Sequence, residues 1–178
     1  MAAIDIRPVV SNDFPALTQL SSNIETFHTW QMNNLLDEGQ IQVNFSRIRL
    51  PRAVNLEYPR SAEAIADSWK KRDLFLAGRI DSELCAFLSL DIDEGQSGRV
   101  LDLVVDEKYR RQGVATTLLI AAQDWLKTNG VYRMTMEVCI KNEAAIGLAE
   151  KLGFVFNGFM DGYSKSREIA LFFLVSLR

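Results

Sequence analysis

The sequence is poor in the residues that hold metals and disulfides. Its 178 residues include one histidine and two cysteines. Cys85 and Cys139 are too few for the disulfide framework of a small secreted domain, and with His28 they form no spacing that is typical of a metal site. We therefore expect reduced cysteines that fill packing space, and we predict no bound metal.

Positive charge is not in excess either. Lysine and arginine together number 20 against 23 aspartates and glutamates, which gives a formal net charge of -3. This balance provides no general basic field for binding nucleic acid. No apolar run approaches the roughly 20 residues that cross a bilayer, and the opening "MAAIDIRPVV" lacks the basic start and apolar core of a signal peptide. We predict a cytoplasmic protein with no nucleic-acid partner and no membrane partner.

The first third of the chain carries weak structural signals. Residues 1–178 have the length of a single domain with one well-filled core. Apolar spacing, caps and prolines predict these elements in order: a strand over Ile4–Val10, a helix from Ser11, a second helix over Thr26–Leu36, and an irregular strand or ordered loop over 41–60. A further helix follows, with Ser61 as its N-cap.

The second half of the chain is much clearer. Three apolar runs separated by turn residues, "DLFLAGRI", "ELCAFLSLDID" and "GRVLDLVV", predict three strands. A helix follows, ended by Asn129 and Gly130, and "VYRMTMEV" then predicts another strand. A strand, a crossover helix and a strand form a βαβ unit, so we expect Leu101–Val105 and Tyr132–Val138 to be parallel neighbours.

A single glycine stands between the first strand of this unit and its helix. In "VVDEKYRRQGVATTLL", Gly113 follows two arginines and directly precedes the helix. Glycine allows a close approach of the backbone, and the first amides of a helix favour an anion, so the turn predicts a phosphate site. Neither the Walker pattern nor the dinucleotide pattern G-x-G-x-x-G is present, which argues against nucleotide hydrolysis and dinucleotide binding.

Two segments together resemble the GCN5-related N-acetyltransferase (GNAT) family. The family signature Arg/Gln-x-x-Gly-x-Gly/Ala stands here as residues 110–115, "RRQGVA", and "MEVCIKNEAAIGLAEKLGF" is similar to the strand, asparagine and closing Gly-Phe that follow in the family. The resemblance implies a mixed α/β (α+β) fold. We expect a mostly antiparallel twisted sheet, a central parallel strand pair splayed around acetyl-coenzyme A, and helices on both faces.

The resemblance also implies a set of cofactor contacts. Amides of the turn would bond the pyrophosphate, the end of the preceding strand would face the pantetheine arm, and an asparagine at the next helix start would bond that arm. The residues concerned are Leu103, Val104, Val105, Arg110, Arg111, Gln112, Gly113, Val114, Ala115, Thr116 and Asn142.

Catalytic residues follow from the chemistry of the implied reaction, because an ammonium has no lone pair and must lose a proton before it attacks a thioester. Glu137 occupies the position where the resembling ribosomal-protein N-terminal acetyltransferases keep a glutamate base, and Asp102 on the neighbouring strand is the alternative base or an anchor for a cationic substrate. Many family members have an acid tyrosine where this chain has Ala149. Tyr163 is the candidate replacement, and water is another.

The implied function is transfer of acetyl from acetyl-coenzyme A to a primary amine in a ternary complex. The tail "GFVFNGFMDGYSK" resembles that of streptothricin acetyltransferases, which favours a small cationic amine as the acceptor. A protein N-terminus is the alternative acceptor. A coenzyme A-binding sensor or interaction module with little catalysis is the alternative function, motivated by Ala149. Family members that look like this chain are often dimers, so a homodimer is a further expectation.

Overall fold

The computed structural model describes residues 3–162 and 167–177. Its strands are β1 (Ile4–Pro8), β2 (Ile24–Asp37), β3 (Gln40–Leu56), β4 (Leu74–Ile80), β5 (Glu83–Ile92), β6 (Gly98–Val105), β7 (Arg133–Cys139), β8 (Val155–Met160) and β9 (Ala170–Ser176). Its helices are α1 (Phe14–Leu17), α2 (Ala62–Ser68), α3 (Val114–Thr128) and α4 (Glu143–Lys151).

Seven of the strands form one mixed sheet in the order β1-β4-β5-β6-β7-β9-β8. Every neighbouring pair is antiparallel except β6 and β7, which are parallel. The helix α3 connects these two strands, as the βαβ pattern predicts. The predicted fold class, including the central parallel pair, is therefore confirmed.

The parallel strands are hydrogen-bonded for only a short distance. Their register comprises Gly98 with Met134, Arg99 with Thr135 and Val100 with Met136. At Leu101 the pairing of β6 with β5 shifts by one residue, which is a β-bulge. Beyond it β6 continues along β5 but no longer pairs with β7, so the two strands separate towards their carboxyl ends. The expected splay is present.

The sheet is covered on both faces, because β4 and β5 bury alternate side chains in two different clusters. The larger cluster contains Leu88 and Leu90 of β5 together with buried residues of α3 and α4. The smaller contains Phe87 of β5, Leu17 of α1 and Ile65 of α2. This period-two alternation explains why both strands are almost continuously apolar.

The predicted helix over Thr26–Leu36 is wrong, because this segment is the strand β2. It pairs with β3 in a long antiparallel hairpin that forms its own two-stranded sheet. Gly39 turns the chain with a φ of +77°, a conformation that favours glycine. Pro51 falls where the register breaks between the pairs Thr26–Val54 and His28–Arg49, so its missing N–H interrupts no recorded pair.

The remaining local predictions agree with the structure. The strand expected over Ile4–Val10 ends at Pro8, and the helix expected from Ser11 begins as a 3₁₀ turn that leads into α1. The Ser61 hydroxyl accepts from the Ala64 amide at 3.2 Å and caps α2. Gly130 follows α3 with a φ of +75°, as a left-handed helix end requires.

Candidate active site

A groove of about 810 Å³ runs across the carboxyl ends of the two parallel strands. Its walls come mainly from the end of β6, the turn before α3, the helix α4 with the residue before it, and the first part of β2. The wall residues that the sequence predicts are Leu103, Val104, Val105, Arg110, Arg111, Gly113, Val114, Ala115, Thr116 and Asn142. The fold therefore brings ten of the eleven predicted cofactor residues to one cavity.

The turn before α3 has the geometry that favours an anion. Gly113 stands before the helix with a φ of +90°, and a Cβ added there would meet no atom within 4 Å. The Thr117 amide donates to the Gly113 carbonyl at 3.0 Å, which is the first bond of the helix. The amides of Val114, Ala115 and Thr116 precede that bond and have no intrahelical acceptor. These donors and the helix dipole give this end of the groove a positive potential.

The side chains of the turn differ in their hydrogen bonds and in whether they face the groove. The Arg110 guanidinium donates to the Val105 carbonyl at 3.1 Å and to the Ser21 carbonyl at 2.9 Å, so it holds the wall together. Arg111 is exposed, lines the groove and has a φ of +64°. Gln112 is the predicted residue whose side chain turns away, donating to the Lys108 carbonyl at 3.0 Å. Arg111 is thus the turn's available cation.

The strand β6 offers its backbone to the groove. Leu103, Val104 and Val105 pair with β5 along one edge. Their other edge faces the gap where β7 has separated, so backbone groups on that side are open to an extended ligand. On the far side, the Asn142 carboxamide oxygen accepts from the Ala145 amide at 3.1 Å and caps α4. Its nitrogen is a donor at the groove wall.

Glu137 lies on β7 with its side chain 27% exposed. Its neighbours Met136 and Val138 belong to the larger core, so the carboxylate projects from the opposite face, the one that carries α1 and α2. It accepts from the Arg99 guanidinium at 2.9 Å. Among the described residues, Glu137 is near the strand gap but is not part of the groove wall.

Asp102 is on the same face but is 1% exposed. Its carboxylate accepts from the Ser89 hydroxyl at 2.5 Å, the Arg60 guanidinium at 2.5 Å and the Tyr58 hydroxyl at 3.0 Å. Burial of Tyr58 raises the pKa of its phenol well above the ordinary value, and the neighbouring Asp102 carboxylate raises this pKa further. The Tyr58 hydroxyl therefore keeps its proton and stays a donor. This enclosure weighs against Asp102 as a base and favours a role in holding the loop before α2.

Ala149 stands on α4 at the position where the resemblance places an acid tyrosine. Ala149 is fully buried in the larger core. The predicted alternative, Tyr163, lies outside the described residues.

Sequence reasoning missed a charged cluster formed by His28, Glu143 and Arg47. The His28 Nδ1 lies 2.8 Å from Glu143 Oε2, and the Arg47 Nε donates to Glu143 Oε1 at 2.5 Å. His28 and Glu143 both line the groove. The Trp30 amide donates to the Ile140 carbonyl at 3.2 Å, which fixes the hairpin across the end of β7. The alternating pattern of residues 41–50 was the only sequence signal of the hairpin.

A smaller cavity of about 80 Å³ adjoins the groove. Ser22, Tyr58 and Val104 line both spaces. The rest of its lining combines apolar residues of α1, α2 and β5 with the polar residues Thr18 and Arg60. It opens on the face that carries Glu137.

Residues 3–162 and 167–177 contain no group of three or more His, Cys, Asp or Glu side chains that could hold a metal ion. Over the same residues, no helix combines the length and the apolar character that a membrane crossing requires.

Replacing Asp102 by asparagine separates its two candidate roles. We expect the free energy of unfolding to fall by about 3 kcal/mol, because the variant leaves Arg60 and Ser89 facing a neutral, poorer acceptor in a buried site. Asp124→Asn is the matched control, since its ion pair with Lys127 is exposed and is worth less than about 1 kcal/mol. Urea unfolding measures both. Unchanged stability together with lost turnover would instead make Asp102 a base.

Comparison with known protein sequences identifies relatives. The model of the acetyltransferase (GNAT) family matches residues 44–154. The chain is 38% identical over 76 residues to the N-alpha-acetyltransferase of Saccharolobus solfataricus, covering 42% of this chain and 46% of that protein. It is 32% identical over 112 residues to the [ribosomal protein bS18]-alanine N-acetyltransferase of Escherichia coli strain K12, covering 59% and 74%. The first of these matches thus spans less than half of the relative's length.

Comparison with solved structures gives the same fold over nearly the whole chain. A protein assigned as a streptothricin acetyltransferase from Bacillus anthracis strain Ames, solved in complex with acetyl coenzyme A, superposes with a TM-score of 0.79. The two chains are 20% identical, and the alignment covers 98% of each. The turn at Gly113 and the splayed strands fall within the matched 44–154 segment, and this chain belongs to the GNAT family of acetyltransferases.

Proposed function

We propose that this protein transfers the acetyl group of acetyl-coenzyme A to a primary amine. The observation that carries the proposal is the groove, in which a helix N-terminus preceded by Gly113 lies at one end and the open edge of β6 at the other. The first suits a pyrophosphate and the second an extended amide-containing arm. Acetyl-coenzyme A supplies an activated acetyl thioester, and the family that the chain belongs to supports this choice.

The amine approaches from the face that carries α1 and α2, where Glu137 removes its proton. Glu137 is partly exposed beside the strand gap, and a carboxylate within reach of the amine, directly or through one water, is a suitable base. The Arg99 guanidinium, 2.9 Å away, holds the carboxylate in place. The open edge of β6 near Val105 provides an amide that stabilises negative charge on the thioester oxygen.

The acceptor is proposed to be a small cationic amine. Glu137, a partly exposed carboxylate beside the strand gap, favours a cation, and the adjoining cavity of about 80 Å³ has room for a small group rather than a large one. The likeness to a protein assigned as a streptothricin acetyltransferase supports the same class. The relatives that acetylate protein N-termini support the alternative, a peptide with a free amine.

The experiment is a thiol-release assay with acetyl-coenzyme A against polyamines, aminoglycosides, streptothricin, amino acids and short peptides. Thiol release that depends on one amine class establishes the transferase and its acceptor. Calorimetry with coenzyme A runs in parallel, so that a missing acceptor is distinguished from a missing cofactor site. If coenzyme A does not bind, the proposal fails.

A second candidate function is a coenzyme A-binding sensor with little catalysis. Ala149, buried where many family members have an acid tyrosine, favours it. Tight coenzyme A binding without thiol release across the whole panel supports this alternative.

A further inference from the structure

With Glu137 as the base, acetyl transfer still needs a group that carries a second proton, the one that remains on the attacking nitrogen. An ammonium loses one proton to Glu137 before attack. The nitrogen that has attacked the acetyl carbon still holds one proton more than the product amide, and the departing sulfur needs one. A single group close to both atoms can take the first and supply the second. Ala149 cannot do so, because it has no titratable atom.

His28 has the surroundings of such a group. It is the one histidine of the sequence, its side chain is 28% exposed, and it lines the same groove as Leu103, Val105 and Asn142. The contact of Nδ1 with Glu143 at 2.8 Å orients the ring and gives an Nδ1 proton an acceptor, which leaves the lone pair of the neutral ring on Nε2. No hydrogen bond to Nε2 is recorded from the described residues.

Neighbouring side chains hold the His28 ring in its orientation. Glu143 is held from its other side by Arg47, reaching from β3. Glu143 is also the first residue of α4, directly after Asn142. The charged groups around the ring come from three elements: Glu25 on the same strand, Arg47 and Arg49 on the paired strand β3, and Glu143 on α4. The arrangement is a carboxylate-oriented imidazole at the wall of a substrate groove.

We propose that His28 carries the second proton from the acceptor nitrogen to the coenzyme A sulfur, an inference that rests on the proposed function. The N–C bond forms and the C–S bond breaks, while the surplus N–H proton passes to Nε2 and from there to the sulfur. The imidazole begins and ends neutral, and the proton taken by Glu137 goes to solvent. Glu143 and Arg47 are positioning residues, because they act through His28.

The first test is spectroscopic and needs no acceptor. Because the chain has one histidine, protein labelled with ¹⁵N-histidine gives a single pair of ring nitrogen signals. We expect the Nδ1-protonated tautomer in the free protein and loss of that preference in Glu143→Ala. Coenzyme A should shift the Nε2 signal, and desulfo-coenzyme A, which lacks the sulfur, should shift it much less. Equal shifts from both ligands, or the opposite tautomer, overturn the proposal.

The second test uses turnover with the best amine of the panel. His28→Asn keeps an N–H that reaches Glu143 but cannot carry a proton, so we expect turnover to fall about 100-fold with unchanged affinity for coenzyme A. His28→Ala should recover activity when imidazole is added. Gln31→Ala, an exposed site on the same strand, is the control and should behave as the native protein. Native turnover in His28→Asn contradicts the proposal, whereas failure of the native protein to bind coenzyme A would contradict the proposed function instead.

Discussion

Gly113→Val should reduce the affinity for coenzyme A by at least about 100-fold, equivalent to about 2.7 kcal/mol. Gly113 has a φ of +90°, and a β-branched residue strongly disfavours this region. The turn must therefore relax, which moves the amides of Val114–Thr116 away from their converging arrangement. The added side chain also occupies space that the structure leaves open for a ligand. Isothermal titration calorimetry with coenzyme A measures the loss.

Gly130→Val provides the matched control for this variant. Gly130 has a similar φ of +75°, it flanks the other end of the same helix, and a Cβ there also meets no atom within 4 Å. Both variants carry a comparable strain, so a general loss of stability would affect them alike. Weakened binding in Gly113→Val alone supports the anion site. Native affinity in Gly113→Val would show that the turn is not where the phosphates bind.

Glu137→Gln should lower turnover by about 10²- to 10⁴-fold, the range expected for removal of a general base. The amide keeps the size of the side chain and an oxygen for Arg99, but it cannot accept the amine proton. We expect coenzyme A affinity to stay close to the native value, because Glu137 lies outside the groove wall among the described residues. Steady-state kinetics across pH, with the best amine of the panel, measures the effect.

Two comparisons make this result specific. Glu150→Gln, on the exposed side of α4, should leave turnover unchanged. A substrate amine with a low pKa arrives without a proton and should be less affected by Glu137→Gln than a strongly basic amine. If both amines lose activity equally, or neither does, Glu137 is not the base.

The sequence predicted the cofactor side of the site well because its signals are local. The glycine, the helix behind it and the Asn142 cap are each encoded within a few neighbouring residues, and a short crossover fixes β6 and β7 as parallel. The hairpin β2–β3 was harder to predict. Residues 26–36 contain no glycine or proline that would interrupt a helix. Their strand conformation depends on hydrogen bonds to β3, which no local sequence pattern predicts.

The polar clusters depend on contacts that are still more distant in the sequence. Asp102 and Arg60 are separated by 42 residues, and Arg47 and Glu143 by 96. Each of these side chains resembles an ordinary exposed charge when the sequence is read alone. Only the folded chain shows that Asp102 is enclosed and that His28 lies against a carboxylate at the groove.

The hairpin has a consequence for how this molecule can change over evolutionary time. It forms a sheet of its own and shares no strand pairing with the seven-stranded sheet. Insertions or substitutions in β2 and β3 therefore leave the register of the central strands untouched, while those in the first part of β2 reshape one wall of the groove. The tip of the hairpin around Gly39 can change most freely, because the segments nearer the large sheet are tied to it at Ile140 and Glu143 and through the contacts of Phe45 with Phe156 and Phe159.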